Sequence, residues 1–551
     1  MVAWINSRIE TIAGAAVILA GASFASKILG LIRNRVLAGT FGAGDTLDAY
    51  FAAFRIPDAI FQFVVLGALS AGFIPVFVEL MGRSRRALAH AEPMRNLNGT
   101  HTELDHWRVA ASVLNALLLI LTVFAVLFII FAPQLQRLIA PGFTGEKLAV
   151  TIQLARIMAL GPIFLGISAV FSGVLQSYRR FVVYAFAPIF YNVGIIIGAV
   201  WFTKFWGVRG LAAGVVLGTI LHLAIQAPAA RQVGFRWRGV LDLKSEAVRK
   251  IGWLSLPRVF GLAVTQLNLF AITIIASKLP AGSLSVFNLA SDIQSVPIGL
   301  FAVSLATAAF PAFSEFAARG NHDKFRSSFS STARLILFLT VPFAVLLLLL
   351  RAQVTRVILG WGEFDWNDTI ETADALAFFS LSLFAQALLP LLARAFYALK
   401  DTLSPLLAGS VGVVLNIVLA LIFRESFGVA GLALAFSLAM VANLIALWLL
   451  LRARMGSLDE FSIITSTFKI SAASLALAIV VQATKYAMAA HVNMQTGWGI
   501  FAQGAVAGVL GLAVFLLVAL AMGSPEAEQI KNAFAKRLFR AKEARVVEIV
   551  E

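Results

Sequence analysis

Cysteine is absent from the 551 residues. That excludes disulfides, thiolate nucleophiles and cysteine-ligated metals. Charge is also scarce: Asp, Glu, Lys and Arg make up 13% of the chain, against about a quarter in a soluble globular protein. The six histidines are scattered, and His222, inside an apolar stretch, reads as a packed or interfacial residue rather than a ligand. No phosphate-cradling Gly-rich loop followed by Lys and Ser or Thr occurs, so direct use of ATP is not expected. With no catalytic constellation and no metal-ligand spacing, the chain reads as neither an enzyme nor a cofactor protein. A coupling ion, proton or sodium, stays open. No cleavable leader is expected, because the first apolar segment is too long and lacks a small-residue cleavage site after it.

What is abundant is apolar sequence: 60% of residues are hydrophobic and the mean hydropathy is +0.89. Runs long enough to cross a bilayer recur from end to end. The expected fold is an all-α polytopic membrane protein with fourteen transmembrane helices between residues 13 and 522. The formal net charge of +16 falls largely on alternate loops. One set carries Arg83, Arg85, Arg86 and Arg95, then Arg179 and Arg180, then Arg231, Arg236, Arg238, Arg249 and Lys250, then Arg319, Lys324 and Arg326. Lys400, Arg452 and Arg454 continue it. The loop at 351–371 instead carries Glu363, Asp365, Asp368 and Glu371 against Arg351 and Arg356. The positive-inside rule therefore places both termini in the cytoplasm, which requires an even span count. It also makes the Asn98-Gly-Thr sequon cytoplasmic and unused. A short amphipathic lead, residues 1–10, precedes the spans. After Ser524, the positions Ile530, Phe534, Leu538 and Ala541 recur at helical spacing among basic residues. This predicts an interfacial helix on anionic membrane lipids, with a solvated tail as the alternative.

An internal repeat runs through the chain. Gly207-Val-Arg-Gly-Leu-Ala212 recurs as Gly428-Val-Ala-Gly-Leu-Ala433, Pro75-Val-Phe-Val-Glu79 as Pro311-Ala-Phe-Ser-Glu315, and Asn192 has a counterpart in Asn416. A repeat of six spans keeps its orientation, so two pseudo-symmetric six-helix lobes are expected around a central cleft. The lobes are residues 1–230 and 231–455, followed by two extra spans over 456–522 and a cytoplasmic tail over 523–551. Pro57, Gly67 and Pro75 interrupt the second span, and Pro297, Gly299 and Pro311 interrupt the eighth. These are the kinks a moving helix needs, although Gly and Pro are frequent in any membrane helix.

Charges inside membrane spans cost at least ~2.5 kcal/mol each and so mark a polar interior. The first hairpin concentrates them: Lys27, Arg33, Arg35, Asp48, Arg55 and Asp58. Asp48, Arg55 and Gln62 are spaced by sevens and share one helix face. Lys27 and Arg33 lie on different faces of a straight helix unless it bends at Gly30. A cationic cleft balanced by one or two acids suits an anionic head group, because Arg and Lys make charge-assisted hydrogen bonds to phosphates. The competing reading is an ion pair of Asp48 with Arg33 and Lys27 that closes one gate. Arg35, Asp45 and Asp58 read as interfacial. In the second half, Gln266, Asn268 and Asp292 are the intramembrane polar candidates, while Arg258, Arg334 and Lys469 can snorkel.

These motifs resemble the MurJ (MviN) family of lipid II flippases, within the multidrug/oligosaccharidyl-lipid/polysaccharide exporter superfamily. The matching pieces are Ser26-Lys27-Ile-Leu-Gly-Leu-Ile-Arg33, Phe41-Gly-Ala-Gly44 with Asp48-Ala49, and Phe54-Arg-Ile-Pro-Asp58. Ala71-Gly-Phe-Ile-Pro-Val-Phe77, Ala140-Pro-Gly-Phe143 and Gly320-Asn-His-Asp323 extend the likeness over nearly the whole chain. The resemblance implies two lobes of six helices, two extra C-terminal helices and alternating access for an undecaprenyl-diphosphate-linked peptidoglycan precursor in the bacterial inner membrane. It also implies the cell-wall synthesis machinery as a partner. Lys27, Arg33, Asp48 and Arg55 fall on the family's charged positions. Three positions depart: Phe61-Gln62 replaces a basic pair, Leu66 an acid, and Ala290-Ser291-Asp292 an Ala-Asp-Arg sequence. The departures favour an alternative, export of another polyprenyl-linked glycan or a small cationic compound. A membrane scaffold that transports nothing would need neither the buried charges nor the paired broken helices.

Overall fold

The computed structural model describes residues 12–67, 72–90 and 105–532. The amphipathic lead, the Asn98 sequon, and the tail positions Phe534, Leu538 and Ala541 lie outside the described residues. Among the described residues every regular element is a helix. Packing divides the chain into two compact units, Met1–Ser285 with Trp361–Asp365, and Val286–Gly360 with Trp366–Glu551.

The first unit contains α1 (Ile12–Phe41), α2 (Asp45–Ile60), α3 (Ile74–His90), α4 (Asp105–Ile139), α5 (Gly145–Met158), α6 (Gly161–Ser177), α7 (Phe181–Ile197), α8 (Arg209–Gln232) and α9 (Glu246–Ala276). Its core packs Phe73, Phe77, Leu114, Leu117, Val170 and Val174. The second unit continues from the first turn of α10 (Ser283–Pro297) through α11 (Val303–Ala318), α12 (His322–Leu349), α13 (Arg351–Leu359), α14 (Trp366–Ser380), α15 (Leu383–Ala398), α16 (Leu403–Met455), α17 (Glu460–Ala489) and α18 (Gly497–Ala521). Phe313, Phe325, Phe329, Phe338, Phe396 and Phe515 are central to its core.

Among the described residues nine helices are long and apolar enough to cross a membrane, or eleven when two bent pairs each count as one span. The most apolar stretch of α4 reaches a mean hydropathy of 3.0. On α17, Phe461, Ile464, Phe468, Leu475 and Ile479 all point outward and are exposed. Such a stripe is a liability in water. In lipid it is the expected outer face, because a helix satisfies its own backbone there.

The repeat reappears as backbone conformation. Gly207 and Gly428 both adopt φ 55°, with ψ −142° and −133°, a region closed to residues with a Cβ. Gly428 thereby breaks α16, whose 53 residues would run ~80 Å if straight. Arg179 and Lys400 share φ values of 58° and 60° at helix ends closed by the same hydrogen bonds. Arg180 N donates to Leu175 O at 2.8 Å, and Asp401 N donates to Phe396 O at 2.9 Å. The interrupted spans match too. α2 passes into a π-helical turn at Phe61–Leu66, just after Pro57, and α10 into one at Ile298–Ala302, just after Pro297. Proline removes the α-type hydrogen bond, and the π turn absorbs the register change.

Asp401 starts α16. Its carboxylate accepts from Leu403 N at 2.9 Å, Ser404 N at 3.0 Å and Ser404 Oγ at 2.6 Å, and pairs with Arg454 at 2.6 Å. Burial acts to raise its pKa, but the hydrogen bonds from Ser404 and Leu403 and the charge of Arg454 outweigh it and hold the carboxyl below its ordinary value. A depressed folded pKa stabilises above the unfolded value and is lost as pH falls through the folded one. Asp401→Ala should therefore cost ~1 kcal/mol at neutral pH. The gap in thermal unfolding between wild type and variant should close on acidification below the usual carboxylate range.

Candidate functional site

The face of α2 that carries Asp48, Arg55 and Gln62 meets α9 in an antiparallel seam. Arg55 Nε donates to Thr273 Oγ1 at 3.0 Å. One turn on, Gln266 Nε2 donates to the Asp58 carboxylate at 3.4 Å, and Arg55 and Gln62 flank the same acid. Past the π turn the two backbones close up where Gly67 faces Val259 and Gly72 faces Ile251 and Ser255. At the far end Lys250 Nζ pairs with Glu79 at 3.0 Å. As residue numbers rise along α2 and α3, they fall along α9, so polar pairs at Thr273, Gln266 and Lys250 alternate with the glycine contacts along the seam.

The other end of the seam is closed by Asp48, which is 2% exposed. One carboxylate oxygen accepts from Ser285 N at 2.8 Å and Ser285 Oγ at 2.7 Å. The other accepts from Gly282 N at 2.8 Å and Lys147 Nζ at 2.8 Å. A carboxylate here satisfies N–H groups that have no intrahelical partner at the start of α10. Lys147 also reaches Asp45 at 2.7 Å and lies 4.1 Å from the Phe143 ring centroid. The cation that holds Asp48 is thus Lys147 rather than Arg33 or Lys27. Sequence reasoning missed it because a Lys at the start of a span normally faces water, and nothing in the sequence links it to an acid 99 positions away.

Arg33 is held elsewhere in the same unit. Its Nη1 donates to Asn192 Oδ1 at 3.1 Å, and its Nε and Nη2 donate to Asn34 Oδ1 at 3.1 and 2.8 Å. Asn192 is fixed in turn by donating to Pro188 O at 3.0 Å. The two amide oxygens fix the plane of the guanidinium. Lys27 is half-buried on α1, and Asn268 lies around α9 from Gln266, off the seam face. Asp292 belongs to the second unit, where its carbonyl accepts the Ser295 hydroxyl at 2.8 Å.

The second unit also holds a buried polar chain that sequence reasoning missed. Gln294 and Gln386 exchange amide hydrogen bonds at 3.2 and 2.9 Å. Gln386 donates to Ser382 at 2.9 Å, Ser382 to Ser437 at 2.9 Å, and Ser437 to Phe378 O at 2.7 Å. It occupies the break between α14 and α15, where a bend of 49° frees backbone groups that lipid cannot satisfy. No group of three His, Asp or Glu placed to hold a metal occurs among the described residues.

A family model described as "Lipid II flippase MurJ" matches residues 37–505. Among similar proteins, the probable lipid II flippase MurJ of Vibrio cholerae serotype O1 is 30% identical over 78% of this chain and 81% of its own. The probable lipid II flippase MurJ of Rhizobium tropici is 27% identical over 96% of this chain and 97% of its own. Among solved structures, "Lipid II flippase MurJ, inward closed conformation" superposes with a TM-score of 0.71 at 22% identity, covering 93% of this chain and 99% of that one. An inward-facing multidrug resistance MATE family transporter reaches 0.65 at 16% identity, covering 81% and 99%. Both superpositions establish the fold.

Proposed function

We propose that this chain, which belongs to the MurJ family of lipid II flippases, moves the undecaprenyl-diphosphate-linked peptidoglycan precursor from the cytoplasmic to the outer leaflet of the bacterial inner membrane by alternating access. It is a multi-pass transporter. The observation that carries the reading is the α2–α9 seam. Its two ends are closed by hydrogen bonds and ion pairs, contacts that exchange with water at little net cost and suit a path that opens and shuts.

In this reading the chain crosses the membrane fourteen times with both termini in the cytoplasm. Support comes from the apolar spans among the described residues, eleven when each bent pair counts as one, the two charge-rich opening spans, and the division of α16 at Gly428. Lys27, Arg33 and Arg55 supply cations for the diphosphate. Gln62 and Gln266 supply hydrogen bonds to its head group, and Asp48 shuts the outer end. Asp292, an acid that would repel a diphosphate, is then ion-paired or protonated while substrate is bound. Asp292 and Phe61-Gln62 are the residues that favour the second reading, export of another polyprenyl-linked glycan or a small cation. The tail on anionic lipids and contact with the cell-wall synthesis machinery complete the proposal.

Cells depleted of their own lipid II flippase and supplied with this chain should keep growing and keep their shape. Lysis at normal levels of the membrane-inserted chain would contradict the reading.

A further inference from the structure

Two turns in the first unit share one bend. In the α4–α5 turn, Phe143 N donates to Ala140 O at 3.0 Å; in the α13–α14 turn, Phe364 N donates to Trp361 O at 3.2 Å. Each turn buries its phenylalanine, and each grips the end of a helix. Gly142 N donates to Ser277 Oγ at 3.2 Å, just past α9, and a methyl group on Gly142 would overlap the Ser277 carbonyl. Glu363 N donates to Gly39 O at 2.8 Å, near the end of α1, and a methyl on Gly39 would overlap the Trp361 ring.

The first grip belongs to a ring of contacts, and the second is tied to that ring through the α1–α2 turn. Four residues beyond Gly39, the Ala43 carbonyl lies against Gly282 so closely that no Cβ fits there. Gly282 N donates to Asp48, Asp48 holds Lys147, and Lys147 follows the turn that grips Ser277. Ser277 leads back along the chain to Gly282. Lifting either turn displaces a helix end that the other turn or its partners hold.

We infer that the two turns are one gate, a pair of clasps that release together and whose joint release opens the substrate path on the outer side. That this side is the outer one rests on the proposed function; the coupling of the clasps does not. Tightly packed backbone contacts switch between discrete states rather than loosening gradually, and cooperative opening of such a unit is read by amide exchange. The second turn is continuous in the chain with α13 and α14, so movement of those helices would pull on it directly.

Hydrogen exchange of the full-length protein in detergent, read by mass spectrometry over 140–144 and 361–365, tests this. Gly39→Ala overpacks one clasp and should speed exchange in both turns about tenfold, corresponding to ~1.4 kcal/mol against the closed state. Ser277→Ala removes the side chain from the other clasp without overpacking and should speed both turns several-fold. If each variant deprotects only its own turn, the clasps are independent and the inference fails. Should Gly39→Ala fail to fold, Ser277→Ala decides alone, by whether 361–365 responds. The readout involves no lipid substrate, so its failure leaves the flippase reading standing, and a failed transport assay leaves the gate standing.

Discussion

Asp48→Asn should abolish transport while the protein remains in the membrane at normal levels. Both carboxylate oxygens accept from N–H donors: Ser285 N on one side, Gly282 N and the Lys147 ammonium on the other. An asparagine has one acceptor oxygen, so whichever way it turns, its NH2 faces a donor. Breaking one side of a buried ion pair costs on the order of 3 kcal/mol, which moves the balance between closed and open ends by about two orders of magnitude. A transporter that cannot shut one end cannot alternate. Lys147→Met removes the same pair from the other side. Combined with Asp48→Asn it should cost less than the two single changes added, because they share one contact. Growth of a flippase-depleted strain and the level of the variant in its membranes provide the check. Wild-type growth on Asp48→Asn would remove Asp48 from the gate.

Arg33→Ala should also eliminate transport, for a different reason. Arg33 is oriented by Asn34 and Asn192, amides that fix the plane of the guanidinium and carry no formal charge themselves. Losing a charged hydrogen-bond donor to a diphosphate costs ~1.5–3 kcal/mol, or roughly one to two orders of magnitude in binding. Arg33→Lys keeps the charge and loses the fork, so it should restore transport only in part. Asn192→Ala should weaken substrate binding less than Arg33→Ala does, since it frees the guanidinium without removing it. Binding of lipid II to purified variants, measured by native mass spectrometry, separates these cases. Unchanged binding by Arg33→Ala would place the diphosphate elsewhere.

The helical membrane fold was legible because burial in lipid acts on composition directly, and apolar runs need no partner to be recognised. The repeat was legible at Gly207 and Gly428 because a positive φ restricts the residue type. It was not legible at Arg179 and Lys400, which take the same conformation without the glycine that usually signals it. The breaks were placed correctly by Pro57 and Pro297, but proline does not say that the register change will be taken up as a π turn. In the candidate site, Asp48, Arg55, Gln62 and Gln266 were singled out because a polar residue in an apolar run stands out. Lys147, Thr273 and Ser285 were not. Each sits where a polar residue is ordinary, at a helix end or as a hydroxyl bonded back to its own helix, as Thr273 is to Leu269 O at 2.8 Å. Only the fold shows that they complete the seam.

The central claim is that this chain moves a lipid-linked diphosphate by opening and closing a polar seam. Purified protein in vesicles, with lipid II supplied in the inner leaflet and a head-group-cleaving enzyme outside, measures it directly. Wild type should expose lipid II to the enzyme over time, and Asp48→Asn and Arg33→Ala vesicles should stay at the rate of protein-free ones. Equal exposure by wild type and both variants, or none above the protein-free rate by wild type, would contradict the account.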